Sequence, residues 1–146
     1  MELSFILYRS KARKTLGHNS VVDIVASSTR FNAREGLTGF LHFDRGYFLQ
    51  YLEGPKGPLS RTVARIYKDR RHGEMVILAD GTIDERFFEG WDMGQIDANL
   101  LPAHGPLATS SWLLPAENVD PLPLIEAFAA FSGAHGEMEI QEISAF

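Results

Sequence analysis

Two apolar runs split by a short glycine-bearing turn constrain this chain more than any other feature. Leu37–Phe43 and Tyr47–Glu53 flank Asp44-Arg45-Gly46, and so short a connection joins its neighbours as an antiparallel hairpin. A lone hairpin is at best marginally stable in water, so the rest of the chain must supply further strands or helices. Upstream, Leu3-Ser-Phe-Ile-Leu-Tyr8 reads as a strand, followed by a basic loop over Arg9–Leu16. His18-Asn19-Ser20 offers an N-cap for a helix carrying Val21, Val22, Ile24 and Val25. That helix is expected to end near Arg34, with Gly36 as its stop. After the hairpin, Gly54-Pro-Lys-Gly-Pro58 interrupts the chain, and Pro58 suits the first turn of a second helix bearing Leu59, Val63, Ile66 and Tyr67. Met75–Ala79 is expected as a short strand, Asp80-Gly81 as a turn and Phe87–Met93 as another short strand. The resulting order is β-α-β-β-α-β-β. Its first six elements match the ferredoxin-like pattern, an α+β fold with an antiparallel or mixed sheet and both helices on one face.

Beyond residue 95 the composition changes. Five of the seven prolines fall there (Pro102, Pro106, Pro115, Pro121 and Pro123), which predicts irregular backbone. Leu124, Ile125, Phe128 and Phe131 then form an apolar stripe ended by Gly133, predicting an amphipathic helix over about 121–132. The chain therefore divides into 1–95 and a C-terminal extension, 96–146. The stripe covers either the open face of the sheet or the face of a partner.

Composition narrows the chemistry. A net charge of −5 gives no long-range attraction to nucleic acid or anionic lipid. The chain has no cysteine, which excludes disulfides, thiolate metal sites and cysteine nucleophiles. His42, His104 and His135 lack metal-ligand spacing, and no Walker loop, GxGxxG, GxSxG or HExxH occurs. No apolar stretch approaches the ~20 residues needed to span a bilayer, and the first apolar run has no basic segment before it. A soluble cytoplasmic protein is expected.

Gln50 is the most informative residue. Alternation along its strand places it between Phe48 and Leu52, where an apolar side chain is expected. It sits either at an edge where its amide reaches water or at a place where a ligand satisfies it. Tyr8 ends the first strand, which the ferredoxin-like topology lays beside the strand of Gln50, so phenol and amide are able to meet. The alternative is a tyrosine at the rim of the core with its hydroxyl in water. Asn32 falls in the last turn of helix one, where asparagine is often only a cap. Trp91 and Met93 share a strand face, as many core pairs do. Lys68-Asp69-Arg70-Arg71-His72 places bases at a helix C-terminus, which the dipole favours as solvated charge; a phosphate or carbonyl clamp is the other reading.

Taken in order, Tyr8-Arg9-Ser10, Ser28 with Asn32-Ala33, Gly36-Leu-Thr-Gly39, Phe48-Leu-Gln-Tyr-Leu-Glu-Gly54, Asp69-Arg-Arg-His72 and Trp91-Asp-Met93 closely resemble the BLUF domain. These are blue-light sensors that bind flavin non-covalently, and the resemblance runs over about residues 2–95. It implies a flavin ring between the two helices, sandwiched by Ile24 and Ile66. It places Asn32 on the polar edge of the ring, with Asp69, Arg71 and His72 near that edge or the phosphate-bearing tail. Tyr8 becomes the light-triggered electron and proton donor, with Gln50 between it and the flavin. Ser28, Trp91 and Met93 become the shell that senses Gln50 rearrange. The implied cofactor is FAD, and the ring sandwich also accepts FMN or riboflavin. Phe31 departs from the pattern, since relatives often carry a polar residue there.

A glutamine suits a switch because its amide has donors on one side and acceptors on the other. The resemblance implies a light sensor rather than an enzyme, a short stand-alone type that acts by binding as a homo-oligomer or on a downstream protein partner, with no role for nucleic acid or membrane. An RNA-binding module of the same fold type is the competing expectation. Arg45-Gly46-Tyr47 begins like the RNP1 pattern, but Phe48, Gln50 and Leu52 do not continue it. A small hydrolase of acylphosphatase-like fold is a third option, and Arg9-Ser10-Lys11 lacks the glycine-rich cradle it needs.

Overall fold

Arg45 and Gly46 close the hairpin with φ of 53° and 83°, the left-handed pair that a two-residue type I′ turn requires. A computed structural model of the chain describes residues 2–13, 18–90, 94–96 and 108–130. Its elements are β1 (Leu3–Ala12), α1 (His18–Glu35), β2 (Thr38–Asp44), β3 (Tyr47–Pro55), α2 (Lys56–Tyr67), β4 (His72–Ile83) and β5 (Gly94–Ile96). The sheet runs β4-β1-β3-β2-β5. Its first four strands are antiparallel, and β5 adds in parallel to β2. This is the ferredoxin-like α+β arrangement with one strand appended.

Strand alternation sorts the core into two layers. Ile6, Leu41, Phe48 and Leu52 turn to one face, where they pack with Leu37 and Leu59 and meet Ile24 of α1 and Val63 and Ile66 of α2. Leu59, Thr62, Val63 and Ile66 recur at i, i+3, i+4 and i+7, the stripe by which an amphipathic helix seats on a sheet. Leu7, Phe40, Leu49 and Tyr51 turn to the opposite face. That face is covered by a C-terminal segment comprising α3 (Thr109–Trp112), a 3-10 turn (Ala116–Asn118) and α4 over 121–130.

The amphipathic stripe is used within the chain: Leu124, Ile125 and Phe128 are buried against the sheet. Phe131 lies outside the described residues. RRM domains stack bases on the sheet face away from their helices; here Leu49 and Tyr51 on that face are fully buried beneath Trp112 and Phe128.

Three sequence expectations are corrected. β1 continues through Arg9–Ala12, because pairing with β3 on one side and β4 on the other holds residues of low strand propensity in extended form. Asp80-Gly81 is not a turn: Asp80 and Gly81 pair with Ile6 and Phe5 inside a twelve-residue β4. Phe87–Gly90 forms bends and turns rather than strand, and the fifth strand begins at Gly94. Trp91 and Met93, expected on that strand, lie outside the described residues.

Candidate functional site

α1 ends in a way that frees Asn32 from capping duty. The Leu37 N–H donates to the Asn32 carbonyl at 2.9 Å while Gly36 adopts φ of 72°, the six-to-one bond and left-handed residue of a Schellman cap. The backbone of Asn32 thus makes the cap, and its side chain is buried at 1% exposure. One and two turns earlier, Ser28 and Ile24 lie on the same helical face.

Between α1, α2 and the sheet lies a cavity of about 290 Å³, bordered by Tyr8, Ile24, Ser28, Gln50, Ile66 and His72, with Asp69 and Arg71 at its edge. Eight of the site residues expected from the sequence therefore meet at one cavity; Asn32 is buried and is not among its lining residues. Tyr8 and Gln50 are direct cross-strand partners, and the Tyr8 hydroxyl donates to Gln50 Oε1. Burial, with Asp69's negative charge adding to it, pushes the Tyr8 phenol well above its ordinary range. Tyr8 is therefore a neutral hydrogen-bond donor at any physiological pH.

Arg71 grips Asp69 through a two-pronged contact, Nε to Oδ1 at 3.0 Å and Nη2 to Oδ2 at 2.6 Å, and its own N–H adds a third bond at 2.9 Å. This fork holds the Asp69 carboxyl below its usual range and raises Arg71. His72 Nε2 lies 2.7 Å from the Ile66 carbonyl and must be the protonated nitrogen, since a carbonyl only accepts.

Sequence reasoning assigned no site role to several lining residues, Ser10, Ser27, Leu41, Phe48 and Arg65, and the departure it noted at Phe31 also falls on the lining. Ser10 was legible in principle, because it shares Tyr8's face of β1 two residues on. Arg65 was not, since its guanidinium rests over the Phe31 ring, 3.2 Å from the centroid, a contact between two helices.

A flavin suits this site on the evidence of its own atoms. Ile24 and Ile66 supply apolar walls from the two helices. Ser10 Oγ and His72 Nδ1 are buried polar atoms without a partner in the protein, and such atoms call for a ligand or water. Arg65 and Arg71 bring cations to the same border, as an anionic tail requires.

Comparison with known proteins agrees with this geometry. The family described as "BLUF: Sensors of blue-light using FAD" matches residues 3–94. Photoactivated adenylate cyclase subunit beta of Euglena longa is 30% identical over 106 residues, covering 72% of this chain and 12% of the relative. The blue light- and temperature-regulated antirepressor BluF of Escherichia coli is 31% identical over 86 residues, 58% of this chain and 21% of BluF. The chain thus spans a minor part of these curated relatives. Among solved structures, the dark state of the BLUF protein BlrB superposes with a TM-score of 0.78 at 30% identity, covering 89% of this chain and 97% of BlrB. Klebsiella pneumoniae BlrP1, solved with FMN and cyclic diGMP, gives 0.68 at 27% identity, covering 91% of this chain and 35% of BlrP1. With the family model matching residues 3–94 and BlrB superposing over 89% of the chain, the chain belongs to the BLUF family of blue-light sensors.

Proposed function

We propose that this chain binds FAD between α1 and α2 and reports blue light by rearranging the Tyr8–Gln50 hydrogen bond. The observation that carries the proposal is that bond itself, made by a buried phenol and a buried amide at the border of a cavity walled by Ile24 and Ile66. When bound, the flavin supplies blue-light absorption and a site able to accept an electron and a proton. Tyr8 holds its proton on Oη, kept there by burial, and directs it at Gln50 Oε1. Gln50 has an amide NH₂ on its other side, so rotation or tautomerisation exchanges donor for acceptor at an unchanged position. In this reading Asn32 fixes the polar edge of the ring, while Asp69, Arg71 and His72 order that edge or the tail. FMN and riboflavin share the ring and fit the same walls; the arginines favour a phosphate-bearing form.

Ser28, Trp91 and Met93 are proposed to sense the rearrangement and pass it on, with 1–95 as the light-sensing unit and 96–146 as the extension that receives the signal. The response ends in binding, to a second copy or to another protein, in the cytoplasm. Two observations support a docking role: β4 is an edge strand of the sheet, and Ile77 on it and Tyr67 at the end of α2 are 49% and 72% exposed. Among the described residues no helix is long and apolar enough to cross a membrane.

Mixing the purified chain with FAD and separating it by gel filtration tests the binding step. Flavin absorbance is expected to travel with the protein, and with Asn32→Ala to travel less completely. A wild-type protein that leaves all its colour behind contradicts the assignment.

A further inference from the structure

Glu53 lies three residues beyond Gln50 on β3 but on the opposite face, with Leu49 and Tyr51. It is fully buried, and burying a carboxylate is costly unless its oxygens are satisfied. Here each oxygen accepts two bonds. Oε1 takes the Phe87 N–H at 2.7 Å and the Tyr51 hydroxyl at 3.1 Å. Oε2 takes the Phe88 N–H at 2.8 Å and the Thr38 hydroxyl at 2.6 Å. Arg86 reinforces the same junction: Nη1 donates to Thr38 Oγ1 at 2.8 Å and Nη2 to the Gly36 carbonyl at 2.8 Å. Phe88 then buries its ring against Phe40 and Tyr51, with centroids 5.1 and 5.3 Å away. The bends after β4 are thus tied to the central hairpin by a side chain, where a strand ladder would otherwise be needed.

What this clasp holds is the chain leading from β4 into β5. Its far end is fixed by β5 pairing with β2, where Leu41 is the partner of Gln95. Leu41 is also the partner of Gln50, which in turn faces Tyr8. One register row therefore runs from Tyr8 through Gln50 and Leu41 to Gln95, while Glu53 fastens the near end of the same connection. Residues 87–88 and β5 are thus tied to the strands that carry and flank Gln50.

We infer that Glu53 is a positioning residue of the light response: its carboxylate locks residues 86–88 to β3, so that a displacement of β3 at Gln50 is felt by the segment that follows. The inference rests on the Tyr8–Gln50 reading above. A glutamine at position 53 keeps the shape but offers one accepting oxygen, and its NH₂ confronts the donors on the other side. It therefore cannot hold both main-chain N–H groups.

The test is hydrogen exchange on the FAD-loaded full chain, in the dark and under blue light, with the absorption spectrum recorded in parallel. In the dark, Glu53→Gln is expected to speed exchange in peptides covering 86–90. It is expected to keep the light-induced red shift, because Tyr8 and Gln50 are untouched, yet to cut the light-minus-dark exchange difference over 86–96 by about fivefold. An unchanged difference overturns the role of Glu53. Loss of the red shift in the variant also overturns it, since Glu53 then acts on the flavin site rather than downstream. Absence of a red shift in the wild type is separate, because it removes the Tyr8–Gln50 reading on which the inference stands. Should Glu53→Gln fail to fold, Thr38→Val removes one of the four donors and is read by the same criteria.

Discussion

Tyr8 and Gln50 meet because two strands in strict register place them opposite one another, and the light response assigned to them separates cleanly from flavin binding. Tyr8→Phe removes one hydroxyl and no apolar contact. It is expected to leave FAD bound and abolish the red shift, as is Gln50→Leu; absorption difference spectra read both, and a normal shift in either removes that residue from the switch. The same buried phenol sets an alkaline limit on stability. Tyr8 and Tyr51 are both raised above the ordinary range, Tyr8 chiefly by burial and Tyr51 by burial together with Glu53. A group raised in the folded state stabilises fully below its unfolded value and loses that contribution as pH rises. Stability is therefore expected to fall above about pH 10, and more shallowly in Tyr8→Phe, in urea titrations across that range. Asp69 works in the other direction. Arg71 depresses it, so its contribution is present above about pH 4 and fades in acid, and Asp69→Asn flattens the acid limb.

At the scale of elements, the turn at Arg45-Gly46 is the simplest point to attack. Gly46 has φ of 83°, so Gly46→Ala introduces a left-handed alanine and is expected to cost about 1–2 kcal/mol in denaturant unfolding. A neutral result contradicts the role of the turn in fixing register. The order of strands and helices, the hairpin and both main helices were legible in the sequence, because apolar periodicity and a glycine turn encode them locally, and the Tyr8–Gln50 encounter was one of two readings that the resulting topology allowed. The long β4 was not. Its Asp80-Gly81 pair is a turn signal by composition, and only the neighbouring β1 makes it strand. The fifth strand was misplaced for a related reason. Phe87 and Phe88 look like strand residues, yet Glu53 captures their N–H groups, a long-range partnership no local pattern announces. Strand alternation puts Glu53 on the face of Leu49 and Tyr51, the hint in the sequence that an acid enters the core.

Among the described residues the sheet is covered on both faces, with the cavity of Tyr8 and Gln50 on one and the C-terminal segment on the other. Arg9, the residue after Tyr8, reaches across to that segment, donating to the Trp112 carbonyl at 2.7 Å and also to that of Leu114. β1 thus carries Tyr8 beside Gln50 and also reaches the extension. Phe128 is fully buried and stacks on Phe40 with centroids 4.6 Å apart, so Phe128→Ala is expected to cost about 3–5 kcal/mol. Deleting everything after residue 95 uncovers Leu49, Tyr51 and Phe40 together, and light scattering is expected to show association of the shortened chain. A monodisperse truncated protein would mean that the covering layer is dispensable. A reversible hydrogen-bond switch at an intact flavin is read in the absorption spectrum of the FAD-loaded chain before and after blue illumination. The expected result is a small shift to the red, without bleaching, that reverses in the dark. A flavin band that stays where it was contradicts it.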